Sequence, residues 1–365
     1  MDDYGFKKWC VFIGLIWGNM IRAHQVPCFF IFGDSLVDNG NNNGILSLAK
    51  ANYFPYGIDF PGGHTGRFCN GKSTVDVIAE CLGFSEYIPA YAYATDQDII
   101  RGVNYASAAA GIRDETGQHL GERFSFRMQL HNHKNVVSRI KKLLGSKADA
   151  FEHLAKCIYS VGLGSNDYLN NYFVPQSYST ARDYSPEQYA EALIKHYFHQ
   201  IKTLYKHGAR KVVVTGIGQI GCSPHALAYM SEDGRTCVQT VDIDVQLFNT
   251  KLKKMIEDLN NEFLDAKFIY VNAYDIFGDL LKRAQDYGFE VTNVGCCGVG
   301  RNHGQISCLP METPCQNRSK FVFWDAFHPS EAANVIVGLR SYKAESESDV
   351  YPMDIYHLAD LHIGE

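Results

Sequence analysis

The sequence predicts an α/β protein, a three-layer α/β/α sandwich around a central parallel sheet of about five strands. Two observations carry this. Short apolar runs rich in Phe, Val, Ile and Tyr recur along the chain, each closed by Gly, Asn, Asp or Ser. Between them lie amphipathic stretches long enough to form crossover helices, which parallel neighbours need and hairpin-linked strands do not.

The first run, residues 28–32, is an apolar strand that surfaces at Gly33, Asp34, Ser35 and Leu36, then meets a turn crowded with Asp38, Asn39, Gly40 and Asn41. Residues 52–66 are dense in Pro, Gly and aromatics and read as loop. Ser73 opens a helix in which Val75, Ile78, Ala79 and Leu82 keep helical spacing, and Gly83 is placed to end it. Residues 103–106 read as a second strand running into Ser107, Ala108, Ala109, Ala110 and Gly111, where small side chains permit close backbone approach.

A helix over residues 126–144 leads to a third strand at 157–161, closed by Gly162, Gly164, Ser165, Asn166 and Asp167. Ser185, Pro186 and Gln188 combine an N-cap, a first-turn proline and a capping-box partner, opening a helix that runs to Gly208. Strands at 211–215 and 268–271 and helices at 241–264 and 274–287 continue the alternation, consistent with a flavodoxin-like sandwich. The run 321–324 is strand-like and opens through Asp325 and His328 into a turn and a final helix. Gly216, Gly218 and Gly221 match a dinucleotide fingerprint, with Asp242 at ribose distance, but Cys222, Ser223 and Pro224 stand where the phosphate-binding helix should begin. The match is read as a decoy, and no cofactor is expected.

With 365 residues, 46% hydrophobic and 20% charged, the chain is ordinarily globular. A net charge of −6 without a long basic run argues against nucleic acid and anionic membrane surfaces as partners. Lys7 and Lys8 precede an apolar run at residues 9–17 that is too short to span a bilayer, so residues 1–25 read as a secretory signal and 26–365 as a single extracellular domain with no transmembrane segment.

Of 11 cysteines, Cys10 lies in that signal, leaving 11 − 1 = 10 for an oxidising compartment. Cys222 and Cys237 flank a polar loop and are expected to pair, while Cys28 and Cys157 sit in apolar strands and read as packed thiols. Cys296, Cys297, Cys308 and Cys315 crowd one turn-rich stretch; they contain no C-x-x-C pair, and a metal there is not expected. Asn317, in Asn317-Arg318-Ser319, is the one glycosylation acceptor and should lie on an exposed loop.

Asp325 and His328 are three residues apart, a spacing that lets the carboxylate fix the imidazole tautomer and leaves Nε2 to take a proton. Alone, such a pair is commonly structural, and Ser35 alone is commonly a helix cap. Together they supply a nucleophile, a base and its orienter. Ser35 within Gly33-Asp34-Ser35-Leu36, the small-residue stretch 104–111, Gly164-Ser165-Asn166-Asp167, and Asp325 to His328 resemble the four ordered blocks of the plant GDSL esterase/lipase family of SGNH hydrolases.

That resemblance implies an esterase or lipase with Ser35 as nucleophile, His328 as base and Asp325 as its orienter. It further implies an oxyanion hole formed by the N–H groups of Ser35 and Ala108 and the side-chain amide of Asn166. Ala108 stands where the family usually has glycine. The expected partner is a small-molecule or lipid ester. Two readings of the same residues stay beside it: an acyltransferase using the same triad, and a secreted binding or defence protein that keeps the fold without catalysis. No G-x-S-x-G turn occurs, which sets the chain apart from α/β-hydrolases.

Overall fold

The computed structural model describes residues 24–362; the expected signal, residues 1–25, lies outside them apart from His24 and Gln25. Strands β1 (Phe29–Gly33), β2 (Ile158–Gly162), β3 (Lys211–Thr215) and β4 (Lys267–Val271) run parallel and neighbour one another in that order. A separate parallel pair, β5 (Val291–Gly295) and β6 (Phe321–Phe323), stands beside the sheet, and short β7 (Val350–Tyr351) closes one edge antiparallel to β4.

The expected second strand lies along the other edge of β1. Ile31 N–H donates to Val103 O at 3.0 Å, Tyr105 N–H to Ile31 O at 2.7 Å and Ser107 N–H to Gly33 O at 3.1 Å. Asn104 turns its backbone groups the other way, to Pro89 O and Tyr91 N–H, so the segment lies between β1 and residues 89–91. With this segment counted, the parallel strands follow the doubly wound order 2-1-3-4-5, and the switch point falls between β1 and β2.

β1 is apolar on both faces because helices cover both. Phe30 and Phe32 pack with Tyr159, Val161, Val212 and Val214 under the helices Phe126–Leu143, Pro186–Lys206 and Gln239–Glu262. On the opposite face Phe29 and Ile31 pack with Ile158, Val213 and Ile269 against the helices Thr74–Cys81 and Ile355–Asp360. Ser185 caps its helix as its spacing predicts, with Gln188 completing the box and Pro186 in the first turn. The helix Lys147–Lys156 is not foreseen, since Ala150 and Leu154 are its only buried residues and so small an apolar face leaves no periodic signal.

Cys28 and Cys157 are not separate packed thiols. The register that sets Phe29 opposite Ile158 brings them to a Cα separation of 4.7 Å, and they form a disulfide between neighbouring strands. Cys222 pairs with Cys237, Cys296 with Cys315, and Cys297 with Cys308.

The end of β1 is fixed by one buried amide. Gln129 Oε1 accepts from Gly33 N–H at 3.0 Å, while its Nε2 donates to Gly33 O at 2.8 Å and Phe124 O at 2.9 Å. Gln129→Leu keeps the volume but leaves the buried Gly33 N–H without its acceptor and removes the donor to Phe124 O, while Gly33 O keeps Ser107 N–H, so it should lower stability by about 1–3 kcal/mol in a denaturant or thermal melt. An unchanged transition would mean that water replaces the amide.

Candidate active site

Ser35 sits in the turn after β1, half-buried at the switch point. Asp325 and His328 occupy the turn after β6, which Trp324 N–H closes by donating to His328 O at 2.8 Å. The next helix, Glu331–Tyr342, starts at once because Ser330 caps it. These turns bring the sequence-predicted trio together across 293 residues, with 2.7 Å between Ser35 Oγ and His328 Nε2. His328 Nδ1 lies 2.8 Å from both carboxylate oxygens of Asp325, which fixes the proton on Nδ1 and leaves Nε2 to accept from the serine hydroxyl.

Asp325 is fully buried, yet amply supplied with donors. Its Oδ1 accepts the N–H groups of Phe327 at 2.9 Å and His328 at 2.8 Å; its Oδ2 accepts Tyr56 O–H at 2.6 Å and Ser307 Oγ–H at 3.1 Å. Burial pushes its carboxyl up, but the facing His328, with the His328 and Tyr56 hydrogen bonds, outweighs burial and holds it below the usual carboxylate range. Phe68 flanks the imidazole with ring centroids 5.0 Å apart. Tyr56, Ser307 and Phe68 leave no signal in sequence spacing; only the cysteines around Ser307 hint that its loop is held, and the Cys297–Cys308 bridge holds it.

The turn carrying Ser35 is anchored from beneath by carboxylates and amides. Asp34 accepts Leu36 N–H at 3.0 Å, and Asp38 accepts Gly40 N–H at 2.8 Å and Asn41 N–H at 2.9 Å. Asn41 donates to Asn104 O and Ala106 O, and Asn42 to Ala108 O, which ties this turn to the small-residue stretch. Burial pushes Asp34 and Asp38 up to about 6, outweighing the lowering by their backbone N–H bonds and, for Asp34, by His328 nearby.

Asn166 reaches the same cavity as Ser35. Its Oδ1 accepts Asn170 Nδ2–H at 2.7 Å and its Nδ2 donates to Ala110 O at 3.0 Å, an orientation that leaves one amide hydrogen for a ligand. Ala108 does not fill the role expected of it. Its N–H donates to Asp38 Oδ2 at 3.0 Å and its side chain is buried in the core. The neighbouring Ala109 lines the cavity instead, with φ 64°, the left-handed conformation that favours glycine. Among the described residues, the N–H groups of Ser35 and Ala109 have no protein acceptor.

The cavity measures about 240 Å³ and is lined by Ser35, Lys50, Tyr53, Ala109, Asn166 and His328, among others. The glycine-rich turn after β3 is consumed by packing. Gly221 N–H donates to Asp242 at 3.0 Å, and a Cβ on Gly216 would lie 2.6 Å from the Tyr270 hydroxyl. Asn317 is exposed, just before the turn Arg318–Lys320.

A serine, a histidine and an aspartate joined in that order at the carboxyl edge of a doubly wound sheet, without the G-x-S-x-G turn, define a serine hydrolase of α/β architecture. The chain belongs to the GDSL-like lipase/acylhydrolase family, whose model matches residues 29–340. It is similar to a GDSL esterase/lipase of Arabidopsis thaliana, 59% identical over 366 residues that cover 99% of this chain and 100% of the relative. A second from that plant is 56% identical over 368 residues, covering 99% and 100%, and its GDSL esterase/lipase 7 is 46% identical over 359 residues, covering 96% and 98%. The protein is thus a carboxylic ester hydrolase. Among the described residues no helix is long and apolar enough to cross a membrane.

Two measurements probe this site. Tyr56→Phe keeps the ring packing against Trp324 and removes the donor to Asp325, so kcat/KM should fall about tenfold with the fold intact. Unchanged turnover would reduce Tyr56 to packing. For Asp34, the folded pKa of about 6 lies above the ordinary 3.8, so its share of stability is full below 3.8 and is lost as pH rises through about 6. That loss is about 3 kcal/mol. Asp34→Asn retains the acceptor for Leu36 and should flatten this fall in urea melts between pH 4 and about 6.5; an unaltered pH profile would remove Asp34 as its source.

Proposed function

We propose that the protein is a secreted serine esterase that cleaves carboxylic esters through an acyl-enzyme on Ser35. The observation that carries the reading is the 2.7 Å contact between Ser35 Oγ and His328 Nε2, with Nδ1 held by Asp325. Ser35 attacks the ester carbonyl as His328 takes its proton, and Asp325 stabilises the imidazolium that forms. The oxyanion is received by the N–H groups of Ser35 and Ala109 and by the free amide hydrogen of Asn166. His328 returns the proton to the leaving alcohol, and water, deprotonated by the same imidazole, releases the acid and restores Ser35.

The four disulfides among the described residues support secretion, since such bridges persist in oxidising compartments. Exposed Asn317 is the site where an attached glycan would be accommodated.

Ser35→Ala and His328→Ala should each abolish turnover of an activated ester, and the double variant should lose little more, because the two act as one unit. Asn166→Ala should cost about 10² to 10³ in kcat, as loss of one oxyanion donor does elsewhere. Intact-mass spectrometry after mixing with a slowly turned-over ester should show one acyl group on the protein and none on Ser35→Ala. Independent, multiplying losses, or an acyl group retained on Ser35→Ala, would refute the mechanism.

A further inference from the structure

Away from Ser35, the helices Phe126–Leu143 and Pro186–Lys206 leave a trough of about 550 Å³ between them. Side chains at helical spacing line both walls: Arg127, His131 and Lys134 on the first helix, His196, His199 and Thr203 on the second, with His207 just past its end. Buried Ile112 and Leu130 give it apolar surface. His196 and His207 are 207 − 196 = 11 residues apart, so the second wall is about 16 Å long. Four of the chain's 14 histidines thus meet in one trough that ester cleavage at Ser35 does not use.

The fixed charges there nearly cancel. Arg113 pairs with Glu115 and Arg127 with Asp114, which leaves Lys134 without a carboxylate partner among the described residues. Histidine is the side chain that gains charge as pH falls from 8 to 5, so His131, His196 and His199 decide whether the trough is nearly neutral or strongly cationic. Burial, then Lys134 and Lys141, hold His207 below the usual imidazole range, and it serves as a neutral ring. On the far side of His199, Lys251 is paired with Glu191 and Lys254 with Asp258, beside Lys195. Among the described residues no three ligand atoms of this trough come within 4.8 Å of one another, a spread that suits an extended anion better than a metal ion.

We propose that the trough binds an acidic oligosaccharide, a chain of sugar rings that repeats a carboxylate, and binds it more tightly as pH falls. A channel walled by two helices takes an extended chain and turns away a flat bilayer. Cationic groups spread along it meet successive carboxylates. Asp114 and Glu115 accept sugar hydroxyls but repel a compact, doubly charged phosphate.

Calorimetric titration of the full chain with tetragalacturonate, at pH 5.0 and 7.5 in low salt, tests this. The Kd should be about tenfold or more lower at pH 5.0, and should rise with ionic strength. Lys134→Gln and His196→Gln should each weaken binding about tenfold at pH 5.0, and Lys134→Arg should keep it. Hydrolysis of p-nitrophenyl acetate should be unchanged in all three, since none of these side chains lines the Ser35 cavity. Uncharged cellotetraose, inorganic phosphate, zinc and phosphatidylglycerol vesicles should each bind more weakly than tetragalacturonate. A tetragalacturonate Kd indifferent to pH and to both glutamine substitutions in folded protein would overturn the proposal, as would phosphate, zinc or vesicles binding as tightly.

Discussion

A carboxylate with no access to water must be given donors, and Asp325 organises the site around that requirement. Its donors come from three places in the chain: the turn it belongs to, Tyr56 at a separation of 269 residues, and Ser307 at 18. Each recruit brings structure with it. Tyr56 carries the loop that packs Phe68 against the imidazole, and Ser307 belongs to a loop bridged to β5 by Cys297–Cys308 and held to Tyr53 through Cys308 O at 2.9 Å. Removing donors from a charge so placed costs more than the bonds are worth in water, because the charge stays buried.

The other buried acids near the site are satisfied more cheaply and behave differently. Asp34, Asp38 and Asp167 accept mainly backbone N–H groups, so burial dominates and raises each to about 6. Their work is geometric. Asp38 joins the Ser35 turn to Ala108, and Asp167 joins the Asn166 turn to Ile112 and Arg113. One reaches the small-residue segment at the edge of β1 and the other the two residues that follow it, so three separate strand ends share one polar seam.

Much of this was legible in sequence because parallel strands announce themselves as apolar runs and their ends as small and polar residues. Ser35, Asp325 and His328 stand out by residue type; Tyr56 does not, since a buried tyrosine that packs and one that donates to a carboxylate are the same letter. A backbone N–H leaves no mark on the side chain, so the sequence points to Ala108 although Asp38 takes its N–H; the neighbouring Ala109, with φ 64°, is the one whose N–H has no protein acceptor among the described residues. Cys28 and Cys157 read as packed apolar thiols because strand register, which makes them partners, is not written locally.

The adjacent cysteines at the end of β5 carry a consequence for how the chain matures. Their native bridges, Cys296–Cys315 and Cys297–Cys308, span 19 and 11 residues. The exchanged bridges would span 315 − 297 = 18 and 308 − 296 = 12. Loop-closure entropy separates these alternatives by less than about 0.1 kcal/mol, so an unfolded chain has no reason to prefer the native pair. The choice has to come from a template already in place, and the β5–β6 ladder is the one beside them. Oxidation of this loop therefore reads out a structure rather than creating it, and material oxidised before β5 meets β6 will hold scrambled bridges that only thiol exchange can correct.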